Sequence, residues 1–319
     1  MELDVSEGEA KAALGALRAV VEASGAPGAG GLRLLEAAAS ALGVGEGWPS
    51  APKATAAQVA EAFPSAEGRR ALVHALLVAA CAEGEVTEEG EASVRAFAGA
   101  LGVRSHWVSL LSSLRRRRVL AVKRQLVTRS PDARWLFART WDEEGLLGLL
   151  RAGLFVLGLY RNPELAARLR ALGALPEGTL GRLFYEHMAE RGLALPGERG
   201  GIPERMLHHD LMHVVNGYGT DPSGECELAG FYAGFAPGDS FTFVVIALAT
   251  FQLGLPVSPA AVVPARGAFD PGRVLAAFLR GRRLRVDIMG PWNYWELMPL
   301  SLAEARERLG IAGSPGGAA

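Results

Sequence analysis

The chain has 319 residues, half of them hydrophobic and only 18 of them proline, which gives room for two domains with cores of their own and excludes wholesale disorder. Its 33 basic residues against 34 acidic ones leave a formal net charge of -1, without the electrostatic footprint of a general nucleic-acid binder. The two cysteines, Cys81 and Cys226, are too few and too far apart for a disulfide framework or a CxxC redox pair, so a reducing compartment is expected.

The opening MELDVSEGE is acidic and leads into an Ala-rich helical pattern, whereas a secretory signal needs a basic start followed by an apolar run. A cytoplasmic location is therefore expected. Displacing the chain by 59 residues aligns 12–44 with 71–103 without a gap, and the match is best at Ala39-Ser-Ala-Leu-Gly-Val44 against Ala98-Gly-Ala-Leu-Gly-Val103. Gly25 and Gly84 then fall at the same turn between two helical patterns, which predicts a tandem helix-turn-helix repeat. The second copy, Ala82-Glu-Gly-Glu-Val-Thr-Glu-Glu-Gly-Glu91, resembles the acidic turn of tellurite-resistance TerB-like helical domains. Glu83 stands where that turn has Asp, and the first copy has Ser24. Acidic side chains favouring a helix start through its dipole are therefore preferred here over an ion site.

Residues 105–127 place Leu110, Leu111, Leu114 and Leu120 beside Arg115 to Arg118, Lys123 and Arg124 on one helical pattern. This reads as the solvated arginine face of a packed helix, with a basic amphipathic helix on an anionic membrane as the alternative. Thr128-Arg-Ser-Pro-Asp132 reads as a linker, so the expected domains are 1–127 and 133–312, followed by a disordered tail at 313–319.

Beyond the linker the pattern stays helical. Residues 145–160 are apolar except for Arg151, and Asn162-Pro163 starts a helix that ends near Gly173. The uncharged stretch between Asp239 and Arg266 is broken by Pro256, Pro259 and Pro264, which leaves an apolar helix at 241–255 too short to span a membrane, read as buried or lipid-contacting. Asp270-Pro271 and the capping box Ser301-Leu-Ala-Glu304 start two more helices. Residues 284–289 form the one short strand candidate. The fold class is all-α.

Three of the six histidines lie in His208-His-Asp-Leu-Met-His213, on a short helix with Pro203 as its natural first residue and Asn216-Gly217 as its stop. With His209 at zero, His213 lies at about 40° and Asp210 at about 100°, and the two imidazoles are about 6 Å apart along the axis. That spacing can chelate one divalent ion, while His208 points away. Asp221 and Pro222 open the next helix after a tight return loop. The reversal can aim the carboxylate of Glu225 back at the histidines. Two imidazoles and two carboxylates suit zinc, or iron and manganese if the site is more open. Cys226 is rotated away from this set and reads as a small buried residue.

The pattern His209-Asp210-x-x-His213 followed by Glu225 resembles the zinc motif of the ubiquinone (coenzyme Q) biosynthesis protein 4 family. Two further segments resemble that family in the same order. They are Leu175-Pro-Glu-Gly-Thr-Leu-Gly-Arg182 with Phe184-Tyr185 upstream, and Trp295-Glu-Leu-Met-Pro-Leu300 through Arg306 to Leu309-Gly-Ile311 downstream. The resemblance implies an all-α fold and a bound zinc, with His209, Asp210, His213 and Glu225 as ligands. It also implies peripheral membrane contact, here at the inner face, and a groove for a prenyl tail, with 146–159 and 241–255 as candidate walls. Trp292, Tyr294 and Trp295 would line a lipid entrance or close the core.

The implied ligand is a prenylated aromatic quinone precursor, and the implied partners are other quinone-biosynthesis enzymes. The implied activity is metal-dependent, oxidative decarboxylation of a polyprenylated hydroxybenzoate, which would make the chain a carboxy-lyase. The alternative is a non-catalytic prenyl-lipid-binding scaffold with a structural zinc. No residue is singled out as a catalytic acid or base, and the N-terminal half has no counterpart in this family.

Overall fold

A computed structural model describes residues 5–45, 48–129, 161–201, 204–236, 239–257, 262–289, 292–311 and 313. The apolar pattern at 145–160, the end of the linker, Pro203 and the tail beyond Gly313 lie outside the described residues. Helices dominate and no strand occurs among the described residues, where the only extended pairings are the isolated bridges Thr179–Ser301 and Leu253–Arg266. The fold is all-α. Residues 284–289 make no ladder, and the amide of Arg285 donates to Leu309 O instead. No helix among the described residues is long and apolar enough to cross a membrane.

The chain divides into two compact units, Met1–Ser130 with Phe241–Ala277, and Pro131–Ser240 with Phe278–Ala319. In the first unit, α1 (Glu7–Val21) and α2 (Ala29–Ala41) recur as α4 (Ala66–Ala80) and α5 (Glu88–Ala100), with every boundary displaced by 59 residues. Ser6 and Ser65 cap the first helix of each copy. Each second helix closes on a left-handed glycine, Gly43 or Gly102, both at φ 66°. The amides of Val44 and Val103 then return to Ala39 O and Ala98 O, each at 2.9 Å, the bonding of a Schellman end. Helix α3 (Ala56–Ala62) links the copies behind a Thr55–Gln58 capping box.

The acidic turn of the second copy is spent on the first. Gly28, the N-cap of α2, has no side chain to offer, and Glu83 Oε1 accepts the orphan amide of Gly31 at 2.8 Å instead. A Cβ on Gly30 would sit 2.1 Å from Ala82 O, so this close approach needs glycine there. Glu91 is buried and holds Arg95 and Arg115, each at 2.9 Å. These carboxylates serve helix ends and arginines, as the dipole argument anticipates.

The arginine run departs from the single helix expected over 105–127. Helix α6 (His106–Arg115) stops, and α7 (Val119–Arg129) restarts on a new axis and continues past Thr128. The break is at Arg117, held at φ 49°. Its guanidinium donates to the carbonyls of Leu253 at 2.9 Å and Gly254 at 3.2 Å. Arg115 and Arg117 thus have structural partners, while Arg116, Arg118, Lys123 and Arg124 stay exposed as a solvated face. Leu110, Leu111 and Leu114 are buried, whereas Leu120, beyond the break, is 83% exposed.

Residues 241–255 form helix α12 (Phe241–Ala247) and a π-turn, Leu248–Gln252. Phe241 stacks on His74 with centroids 4.0 Å apart and meets Trp107 edge-on. Val245 and Leu248 face Leu77, Cys81 and Leu110 across a narrow crevice. Buried Gln252 donates to Ala82 O at 2.7 Å and accepts from Phe269 N at 3.2 Å. This apolar stretch is core of the first unit.

The second unit holds α8 (Pro163–Ala171), α9 (Leu180–Glu190), α10 (Leu207–Asn216), α11 (Pro222–Phe235) and α14 (Leu302–Leu309), while α13 (Pro271–Gly281) is divided between the units. The starts read from Asn162, Asp221 and the Ser301–Glu304 box are all present. The two flanking motifs meet. Leu180 N donates to Leu300 O at 2.8 Å, Gly181 N to Met298 O at 2.9 Å, and Leu302 N to Gly178 O at 3.2 Å. The upstream motif therefore opens α9 against the backbone of the downstream one. Of the C-terminal aromatics, Tyr294 is buried with its hydroxyl donating to Glu204 at 2.6 Å, and Trp295 lies under Arg168 at 3.5 Å.

Candidate metal centre

Helix α10 buries Leu207, Leu211, Met212 and Val215 almost completely, which fixes its rotation and leaves His209 and His213 stacked one turn apart. Its last turn is held from two sides. Arg306 donates to Val215 O at 2.7 Å, and Arg280 donates to the buried side chain of Asn216, also at 2.7 Å. Cations at this end also suit the helix dipole. Gly217, at φ 72°, then ends the helix, and the return loop brings in α11 under its Asp221 cap and Pro222. A Cβ on Gly224 would lie 1.9 Å from Gly219 O. Glycine at 224 lets the loop fold onto the first turn of α11 and delivers the next residue, Glu225, to the histidines.

There the carboxylate spans both rings, with Oε1 3.3 Å from His213 Nε2 and Oε2 3.6 Å from His209 Nε2. The two imidazoles stand 5.0 Å apart at 80°. His213 is fully buried, and its Nδ1 lies 3.4 Å from Tyr218 O. Its Nδ1 is turned to that carbonyl, and its Nε2 faces Glu225. His209 is 38% exposed at its side chain and forms the open side.

One donor atom from each of His209, His213 and Glu225 lies within 4.8 Å of the others, the only such trio among the described residues. Tetrahedral donors at about 2.0–2.2 Å from a zinc ion lie roughly 3.3–3.6 Å from one another, and the two carboxylate–imidazole separations, one from each oxygen of Glu225, fall in that range. A histidine tied through Nδ1 to a carbonyl, with Nε2 turned into the site, is the usual form of a histidine ligand. These residues fit a divalent cation.

The site's charges are mutually adjusted. Burial alone would raise the Glu225 carboxyl, but the two histidines carry it down to about 2. Burial opposes the charge on His209, and the Glu225 carboxylate outweighs it, leaving His209 above the usual histidine value. Asp210 is buried next to them but is not one of the three close donors, and burial holds its carboxyl above the usual range. His208 is turned toward Tyr232, ring centroids 5.7 Å apart. Cys226 is fully buried, and burial pushes its thiol up to about 12, away from the ligand form.

A fourth imidazole, absent from the sequence reading, completes this neighbourhood. His187 on α9 is buried, and its ring lies 6.1 Å from that of His213 at an interplanar angle of 22°. Burial, with a smaller contribution from Arg191, lowers its pKa to about 4, so it is neutral. The signal for it was available. Leu180, Phe184 and Met188 form the buried stripe of α9, and position 187 falls on that stripe.

No family model matches this chain, and no curated protein is similar enough to count as a match. Among solved structures, a protein from Nostoc punctiforme, provisionally assigned to ubiquinone biosynthesis, is 19% identical over 78% of this chain and 99% of its own, with a TM-score of 0.35.

Proposed function

We propose that the chain binds a divalent cation, zinc by donor chemistry, at His209, His213 and Glu225, with Asp210 as the further ligand that the motif resemblance implies. We further propose that this site serves the metal-dependent decarboxylation of a polyprenylated hydroxybenzoate in ubiquinone biosynthesis. The observation that carries the reading is the span of the Glu225 carboxylate across both Nε2 atoms, one oxygen to each, with the three donor groups within 4.8 Å of one another. The three ordered sequence motifs supply the substrate class.

When bound, the cation supplies a Lewis acid for the carboxylate or phenolate oxygen of an aromatic acid. The chain's own residues do the rest. Tyr218 O fixes the tautomer of His213, Glu225 brings negative charge that is already ionised at neutral pH, and the exposed edge of His209 leaves one side for substrate. In the redox-neutral step the ring–carboxyl bond breaks, carbon dioxide leaves, and a proton takes its place on the ring carbon. The oxidative form needs, in addition, dioxygen or another oxidant.

The test is reconstitution with zinc or ferrous iron and a polyprenylated hydroxybenzoate carrying a labelled carboxyl group. Release of labelled carbon dioxide, lost in Glu225→Ala, is expected. Metal-loaded protein that binds the acid normally and releases none would refute the enzymatic reading.

A further inference from the structure

Buried polar atoms are nearly always hydrogen-bonded, so each exception asks for an occupant. One of the exceptions among the described residues is the Nε2 atom of His187. Its ring lies 6.1 Å from that of His213 and nearly parallel to it. His187 is 8% exposed, so bulk water does not satisfy it. Nor is its position accidental. Backbone bonds to Met298 and Leu300 clamp the start of α9, and Arg191, one turn on, donates to His187 O at 3.2 Å and to Thr220 at 3.1 Å in the loop that delivers Glu225. The histidine is thus held from both ends of its helix beside the candidate centre.

The cation site accounts for Nε2 of His213 and leaves Nε2 of His187 to be accounted for. His187 is not in the trio whose donor atoms approach within 4.8 Å, which places it beyond direct ligation, while its ring stands 6.1 Å from that of the candidate ligand His213. We infer that His187 is a positioning residue of the cation site, hydrogen-bonded through Nε2 to an oxygen, from water or a carboxylate, that completes the cation's shell. This rests on the reading of His209, His213 and Glu225 as a cation site.

Cobalt(II), titrated into the full chain and followed by its visible absorption, tests the inference without any activity assay. His187→Phe keeps a ring against His213 and removes both nitrogens, while His187→Gln keeps a hydrogen-bonding tip. Loss of such an outer partner typically weakens metal binding by about 10–100-fold, so the Phe variant is expected to show that loss together with a displaced visible band. The Gln variant should recover part of both. Near-UV circular dichroism of the metal-free proteins checks folding, and if the Phe variant is unfolded the Gln variant is judged by the same two readouts. Wild-type affinity and an unchanged band in the folded variant overturn the role of His187 alone. Failure of the wild-type chain to take up cobalt overturns the cation site itself, and the inference with it.

Discussion

Replacing Glu225 with Gln keeps the shape of the side chain and removes its charge, which separates packing from ligation. In the metal-free protein, the fall of the Glu225 pKa from 4.5 to about 2 corresponds to about 3 kcal/mol of folded-state stabilisation. A depressed carboxyl pKa stabilises above the unfolded value and loses its effect as pH falls toward the folded one. His209, raised by its carboxylate partner, stabilises below its unfolded value and loses its effect as pH rises through the folded one. The pair therefore contributes most between about pH 4.5 and 6.5, and Glu225→Gln should destabilise the metal-free chain most in that window.

With metal, the variant loses its anionic donor and at least about 100-fold in affinity is expected to go, beyond the range for an outer partner. At a free zinc concentration 1,000 times the wild-type Kd, the wild type gains about 4 kcal/mol, whereas a variant binding 100-fold more weakly gains only about 1.4 kcal/mol. Thermal unfolding with and without zinc measures the difference, roughly 5–10 °C for a unit of this size. If zinc raises the melting temperature of Glu225→Gln as much as that of the wild type, the carboxylate is not a ligand and the centre built here fails.

Zinc binding at pH 6 should release a proton from His209, which must give up its charge to ligate, and none from Glu225, which is already ionised. Calorimetric titration in buffers of different ionisation enthalpy measures this, and zero release would contradict the His209–Glu225 pairing. Gly224→Ala, whose methyl would meet Gly219 O, should push the return loop off α11 and weaken zinc binding by about tenfold or more with only local loss of stability, since ligand geometry tolerates little displacement; unchanged affinity on titration would show that the loop does not aim Glu225. Glu83→Ala removes the amide acceptor at the start of α2 and should cost about 1 kcal/mol in denaturant unfolding, the usual cost of a lost cap. Zinc affinity should be untouched, and a change in it would argue against the assignment of Glu83 to a purely capping role.

Helix starts were legible because they are decided within a few residues. The Asp221–Pro222 opening, the Ser301–Glu304 box and the repeat boundaries depend on which side chain can reach the next orphan amide, and sequence states that directly. The pairing of His209 with His213 was likewise legible, since one helical turn sets it. Their meeting with Glu225 needed only the reversal at Gly217.

Contacts between distant segments were a different matter. A run of apolar residues such as 241–255 states that it must be covered but not by what, because hydrophobic burial has no direction; packing against His74, Trp107 and Ala82 decided it. Arg115 and Arg117 read as part of a solvated face until Glu91 and the carbonyls of Leu253 and Gly254 were brought to them. Glu83 caps a helix in the other repeat, and His187 reaches His213 from another helix altogether. Local hydrogen bonding and periodicity thus belong to the sequence alone. Which surfaces meet, and which imidazole stands behind the His209–His213 pair, was settled only when shape and polar satisfaction selected among many compatible pairings.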